Sequence, residues 1–362
     1  MHFRIFDCWR FAAALLVMTY HFLFFAPGQA AYTETDLLFR LLPLLDMFFM
    51  ISGFVIMSRY GDRIDTLPAY ATFLRRRIAR LYPLHLLTLA FFVGVALIGR
   101  AGFVHLQLPE RWDLHAVPLH LLAIHAWGTT NALSFNYPSW SVSAEIFCYL
   151  LFPLVPFVVR RAGALGLTLT LAAYVVALEI ASRAGFFPSG HWTTADTYGA
   201  YRALADFMAG GLASLLVTRR ALNVTSHAPG LVSLGLAVAC MVWQIDVHAT
   251  LLFLFGAILL IGLSESARPD STRALAPAMK LTCVSFGIYL WHPVMETLFL
   301  SILWKRVIEP TGWIGFHAYL VLPILASILV ALLWHYTLDG RIAALLAGTH
   351  RRTAPAARLA NA

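Results

Sequence analysis

Charge is scarce in this sequence. Acidic and basic side chains make up 12% of the 362 residues and apolar types 60%, whereas a soluble domain averages about 25% charged and roughly 45–50% apolar. With a mean hydropathy of +0.74, that balance excludes an ordinary soluble enzyme and a disordered chain. Cysteine is scarce too. Cys8, Cys148, Cys240 and Cys283 stand in or beside apolar runs without metal-ligand spacing. This excludes a disulfide-stapled scaffold and reads as packing, not as a redox or zinc site. Alternating strands of about ten residues are missing, which excludes a membrane β-barrel. No P-loop, GxGxxG, lipidation motif or internal repeat stands out. What remains is an all-α, polytopic membrane helix bundle. The formal net charge of +8 would suggest nucleic acid in a soluble protein. Here a positive-inside bias accounts for it, and no nucleic-acid partner is expected.

A membrane-crossing helix needs about 20 mostly apolar residues. The qualifying runs are 6–26, 38–58, 80–99, 140–159, 164–182, 200–217, 229–245, 249–264, 281–301 and 317–337. A shorter stretch, 116–130, carries Pro118, His120 and His125 and reads as an eleventh span or a re-entrant segment. The arginines favour ten spans with both termini cytoplasmic. That count puts the Arg75–Arg77, Arg160–Arg161 and Arg219–Arg220 clusters and the C-terminal basic residues on one side, and an eleventh span would scatter them. The first run is too long for a cleaved signal and contains Asp7 and Arg10, so it is expected to be retained. The expected organisation is one transmembrane domain, 1–347, and a short basic cytoplasmic tail, 348–362.

Ionisable groups inside a bilayer cost roughly 2.5–3.5 kcal/mol each, so each is a functional candidate. Arg10 and His21 are 11 residues apart. At about 100° per residue they share one helix face, about 16 Å apart along the axis. Asp7 lies about 40° around from His21 by the same count. The plain alternative is an Asp7–Arg10 salt bridge with a core histidine. Arg75, Arg76, Arg77 and Arg80 stand at the mouth of the third span, as topology anchors or as an anion clamp, since guanidinium pairs phosphate bidentately. Arg77 and Arg80, three apart, can converge.

In Trp140–Tyr149, Ser141, Ser143 and Glu145 alternate, and Tyr149 follows Glu145 by one turn. The alternative there is an acid paired to an arginine such as Arg202. His292 lies mid-span beside Pro293, whose ring frees backbone carbonyls; the alternative is a hydrogen-bonded core histidine. His115, His120 and His125 recur every five residues, about 140° apart per step, so they form no ligand face and no metal is expected. Asp206 and Glu179 are intramembrane acids without an assigned role.

Five stretches, taken in order, carry a resemblance: Phe6–Arg10 with His21, Asp46–Gly53, Phe73–Pro83, Trp140–Tyr149 and Ser285–Pro293. They are similar to the Arg-x10-His, FFxxSGF, Arg-x-x-Arg, WSLSxExxFY and GIYLWHxP motifs of the acyltransferase type 3 family of integral membrane acyltransferases. Cys8 and Trp9 depart from the usual small residues, and Ala144-Glu145 shows one acid where many members show two. The resemblance implies ten spans, acetyl-CoA or another acyl-CoA as donor, and O-acyl transfer, most often of acetyl. The acceptor would be a hydroxyl of lipopolysaccharide, capsule, peptidoglycan or another exported glycan, free or lipid-linked. The setting would be multi-pass in a bacterial cytoplasmic (inner) membrane. Some members carry an esterase-like C-terminal domain that is absent here, so the chain is expected to act alone, as a homo-oligomer or with a periplasmic partner protein.

Under that resemblance His21 is the general base, since its unperturbed pKa is near 6.5. A covalent acyl-histidine stays open. Glu145 orients the acceptor or the imidazole, and Asp7 positions Arg10. Arg10, Arg75, Arg76, Arg77 and Arg80 hold the donor. Ser143, Tyr149, His292 and Trp140 face the acceptor. The competing reading is a transporter or flippase using the Asp7/Arg10/His21 stripe, against which the lack of an inverted repeat counts.

Overall fold

The computed structural model describes residues 3–348 except Ala195. Apart from Gly348, the tail expected over 348–362 lies outside the described residues. The described chain is all-helical, without strands. In order, the helices are α1 (Arg4–Leu23), α2 (Ala30–Arg40), α3 (Asp46–Tyr60), α4 (Leu67–Arg100), α5 (Val117–Leu121), α6 (Trp140–Leu151) and α7 (Leu154–Arg183). After these come α8 (Gly199–Thr218), α9 (Ala228–Val242), α10 (Val247–Ala267), α11 (Met279–Thr282), α12 (Ser285–Met295), α13 (Phe316–Trp334) and α14 (Gly340–Leu346). A π-helical stretch, Glu296–Ile308, continues α12.

Among the described residues, seven helical stretches are long and apolar enough to cross a membrane: Leu42–Tyr60, Leu67–Arg100, Leu154–Arg183, Gly199–Thr218, Val247–Ala267, Arg273–Thr311 and Phe316–Leu346. The rest of the ten expected runs are helical but differ in kind. α1 carries Arg4, Asp7 and Arg10. α6 has only 12 residues, and α9 is a 15-residue apolar helix. α7 is broken at Gly163, where φ is +67°, a conformation glycine adopts at no steric cost. The break falls between the expected runs 140–159 and 164–182, beside Arg160 and Arg161. The 116–130 stretch makes only the five-residue α5 and then turns. Ala123 (φ +52°) and Gly128 (φ +80°) take left-handed conformations there, which no continuous helix accommodates.

Two helices form the keel of the bundle. α8 is the most enclosed, with 83% of its apolar window buried against 11% for α7. It crosses α3 backbone to backbone. A Cβ at Gly53 would fall 2.0 Å from the Phe207 carbonyl oxygen, and one at Gly210 would fall 1.8 Å from that of Met50. Small residues at such crossings let dispersion and carbonyl contacts act at close range. Nearby, the buried Arg202 holds Asp46 in a bidentate pair, with Nη2 donating to Oδ2 at 2.7 Å and Nε to Oδ1. Asp206 follows one turn along α8 and is 2% exposed.

Candidate active site

The polar stripe of α1 ends in two different neighbourhoods. At its start, Arg10, Ser52, Arg77, Arg80, Glu145 and Tyr149 line a cavity with about 400 Å³ of empty volume. It meets a second space of about 490 Å³ at Arg10, Glu145 and Phe286; Phe48, Trp140 and Tyr289 help to line this one. Glu145 Oε1 accepts hydrogen bonds from the Ser52 hydroxyl at 2.8 Å and from the Tyr149 hydroxyl. Arg77 Nη2 donates to the Tyr60 hydroxyl at 3.1 Å and lies over the Tyr60 ring, 5.2 Å from its centroid. Arg10 lies 5.6 Å from the Phe48 centroid; its Nε is buried and has no hydrogen-bond partner among the described residues. Asp7 stands one turn earlier on α1.

Helical spacing explains this gathering. Arg77 and Arg80, three apart on α4, present neighbouring positions to one cavity. Arg75 and Arg76 are exposed, as is Arg80, but unlike Arg80 they do not line the cavity. Glu145 and Tyr149 are one turn apart on α6, so the hydroxyl reaches the carboxylate on its own helix.

At the other end of the stripe, His21 packs against His292 with ring centroids 5.4 Å apart and planes 17° apart. It also packs against Tyr137 at 4.6 Å. The Tyr137 hydroxyl donates to Glu296 Oε2 at 2.8 Å and lies 3.4 Å from His292 Nε2. Arg111 sits over the Tyr137 ring, 4.7 Å from its centroid. Tyr289 joins the two neighbourhoods: it lines the second space and packs 6.0 Å from His292. His21 is half-buried, and neither space counts it among its lining residues.

The structure brings together Arg10, Arg77, Arg80, Glu145 and Tyr149 at one end, and His21 and His292 at the other. Glu145 stands with the arginines, not beside His21; the acid at the imidazole end is Glu296. Arg202, considered as a partner for Glu145, is taken by Asp46. Trp140 forms a wall of the second space and packs on Phe49 at 5.6 Å. Ser143 is fully buried, and its hydroxyl accepts the Ala126 amide at 3.0 Å while its carbonyl accepts Trp127 Nε1 at 3.0 Å. It fastens the 116–130 stretch and lines neither space. Three residues at the imidazole end were missed: Tyr137, Glu296 and Arg111. Glu296 had a signal, standing one turn after His292 in chain order. Arg111 had none. Among the described residues no group of three histidine, cysteine or acidic side chains is arranged to hold a metal, and all four cysteines are unpaired thiols.

A family model described as "Acyltransferase domain" matches residues 3–333. The chain is 35% identical over 157 residues to a protein named acyltransferase MdmB from Streptomyces mycarofaciens. That match covers 42% of this chain and 38% of the relative, so the chain spans well under half the length of that protein. No solved structure matches the chain.

Proposed function

The chain belongs to the acyltransferase domain family, and from that premise we propose that it transfers an acyl group, acetyl in the first instance, from cytoplasmic acyl-CoA to a hydroxyl of an exported or lipid-linked glycan. The setting we propose is a bacterial inner membrane, crossed ten times by one domain with both termini in the cytoplasm. The observation that carries the reading is the division of one helix between two chemistries. Arginines converge around Arg10, a histidine pair stands at His21, and Tyr289, which lines the second space, packs 6.0 Å from His292 of that pair.

Arg77 and Arg80 hold the donor's phosphates from the wall of the cavity, and Arg75 and Arg76 attract them from the exposed rim. Arg10 and Glu145 flank the passage of the pantetheine arm. The arm has to cover about 16 Å to reach His21, a length an extended arm supplies and a bare phosphate does not. At that end the His21 imidazole takes the proton of the acceptor hydroxyl as its oxygen attacks the thioester carbonyl. The C–S bond then breaks, and the imidazolium returns the proton to the departing thiolate. His292, Tyr137 and Glu296 orient the imidazole pair through the hydrogen bonds described above. Arg111 adds positive charge beside Tyr137, where negative charge develops on the carbonyl oxygen.

The test is release of free CoA thiol by purified protein given acetyl-CoA and candidate glycans. Acceptor-dependent release that disappears in His21→Ala supports the reading. Full activity in that variant, or substrate movement without any thioester, overturns it.

A further inference from the structure

The stretch between α4 and α6 carries Arg111 and Tyr137 to His21, although it has little regular structure of its own. Beside the Ser143 anchor, a column of three imidazoles fastens it. His85 from α4 and His120 and His125 from the stretch itself are 0%, 1% and 2% exposed. His120 and His125 stack with centroids 3.8 Å apart and planes 13° apart. His85 and His125 follow at 5.7 Å and 10°. The His85 Nε2 lies 2.9 Å from the His120 carbonyl oxygen, so Nε2 carries the proton and donates. His125 Nε2 lies 3.2 Å from the hydroxyl of Ser139, two residues past Tyr137. On the other flank of Tyr137, the Asn136 amide donates to Thr88 Oγ1 at 2.8 Å and to the Leu290 carbonyl at 3.1 Å. The chain is thus gripped on both sides of the tyrosine, at Asn136 by α4 and α12 and at Ser139 by the column.

The column does not suit a metal. Imidazole lone pairs lie in the ring plane, and near-parallel stacked planes aim them past one another. It suits three neutral rings. His85 Nδ1, both nitrogens of His120 and His125 Nδ1 have no hydrogen-bond partner among the described residues. The polar side chains that meet the rings are Tyr82 from α4 and the hydroxyl of Ser139; Phe135 packs edge-on. Among the described residues no carboxylate or guanidinium pairs with any of the three. A proton on one ring would place a buried cation against two further imidazoles with nothing to balance it. Burial pushes His120 down to about 3 and His125 well below the usual histidine range, with the neighbouring imidazoles adding to both.

We propose that His85, His120 and His125 form a proton-released latch whose residues position Tyr137 and Arg111 for the acyl-transfer site. Neutral, the column holds residues 117–139 on α4 and α12. Protonated, it lets the stretch go. The released stretch binds more protons than the held one, because its histidines return to ordinary values near 6.5. The latch is therefore at full strength above about pH 6.5 and weakens as pH falls from there toward 3. What the latch positions rests on the function proposed above; the latch itself does not.

Hydrogen exchange of the purified full chain tests it without any substrate. Protection of 117–139 is compared with that of α8 in the same sample, after correction for intrinsic pH dependence. From pH 7 to pH 5, protection of 117–139 is expected to fall relative to α8, by about tenfold per pH unit for each proton taken up. In His120→Phe/His125→Phe, which keeps aromatic rings in the column but removes two titrating groups, this fall is expected to flatten. His125→Gln, which keeps a donor toward Ser139, serves if the double variant does not fold. Wild-type protection that does not change between pH 7 and 5 overturns the latch, as does an undiminished fall in the variants. A pH-dependent loss of protection in a protein that releases no CoA thiol would sink the proposed function and leave the latch standing.

Discussion

Two sets of charged side chains lie close to α3, one buried and one partly open, and they are built on opposite plans. Asp46 and Arg202 face each other fork to fork with side-chain exposures of 1% and 6%, and two hydrogen bonds join them. On the other face of α3, the cavity at Ser52 has three guanidiniums in its wall, Arg10, Arg77 and Arg80, and one carboxylate, Glu145. That carboxylate already serves two hydroxyls. The first set is closed, and its charge is spent on the fold. The second sets three guanidiniums against one lining carboxylate around an open space, and under the proposed function the donor's phosphates supply the balance. Counting guanidiniums against carboxylates, and asking which have satisfied each other, separates a structural ion pair from a binding site more reliably than burial alone.

The comparison breaks first at His21. His21→Ala should lower turnover by about 10²–10⁴-fold, the usual worth of a general base, with little change in thermal midpoint; thiol release and a melting curve on the same sample check both halves. The closed set predicts the converse. Asp46→Ala leaves Arg202 buried without its counter-ion and should cost about 3–5 kcal/mol. Replacing both members by apolar residues of similar size should restore most of that, and a thermal-stability series over the singles and the double decides. If Asp46→Ala melts like wild type, the contrast between closed and open charge is wrong. On the open side, Arg77→Gln with Arg80→Gln should raise the apparent KM for acyl-CoA about tenfold to a hundredfold, because charged hydrogen bonds contribute about 1.5–3 kcal/mol each, and should leave the fold intact. An unchanged KM would return these arginines to the role of topology anchors. The smallest effect is expected from Tyr60→Phe, which removes the hydroxyl that orients Arg77. A KM change of a few-fold, corresponding to about 1 kcal/mol or less, would refine which atoms aim the guanidinium.

Much of this was legible from spacing. The pairing of Arg77 with Arg80 and of Glu145 with Tyr149 follows from helix geometry on a single element, and the Asp7/Arg10/His21 stripe lies on one helix. What spacing does not report is which acid an arginine chooses across the bundle. The sequence offered Glu145 as the acid for Arg202; the structure gives it Asp46, near the crossing of α3 and α8. The imidazole end was harder still, because Tyr137 and Arg111 come from a stretch without helical periodicity. Phe135 (φ +53°) and Leu108 (φ +55°) turn the chain in ways that no apolar repeat encodes. His120 and His125 do meet, but by stacking across a turn, which a helical wheel over 116–130 had no means to anticipate.

The glycine crossing between α3 and α8 has a mechanical meaning. Two backbones in van der Waals contact at Gly53 and Gly210 cannot slide a turn past one another or open a wedge without losing that contact over its whole length. Any widening of the bundle therefore has to take place away from this joint. Widening either glycine to alanine would force the two backbones apart at the joint itself.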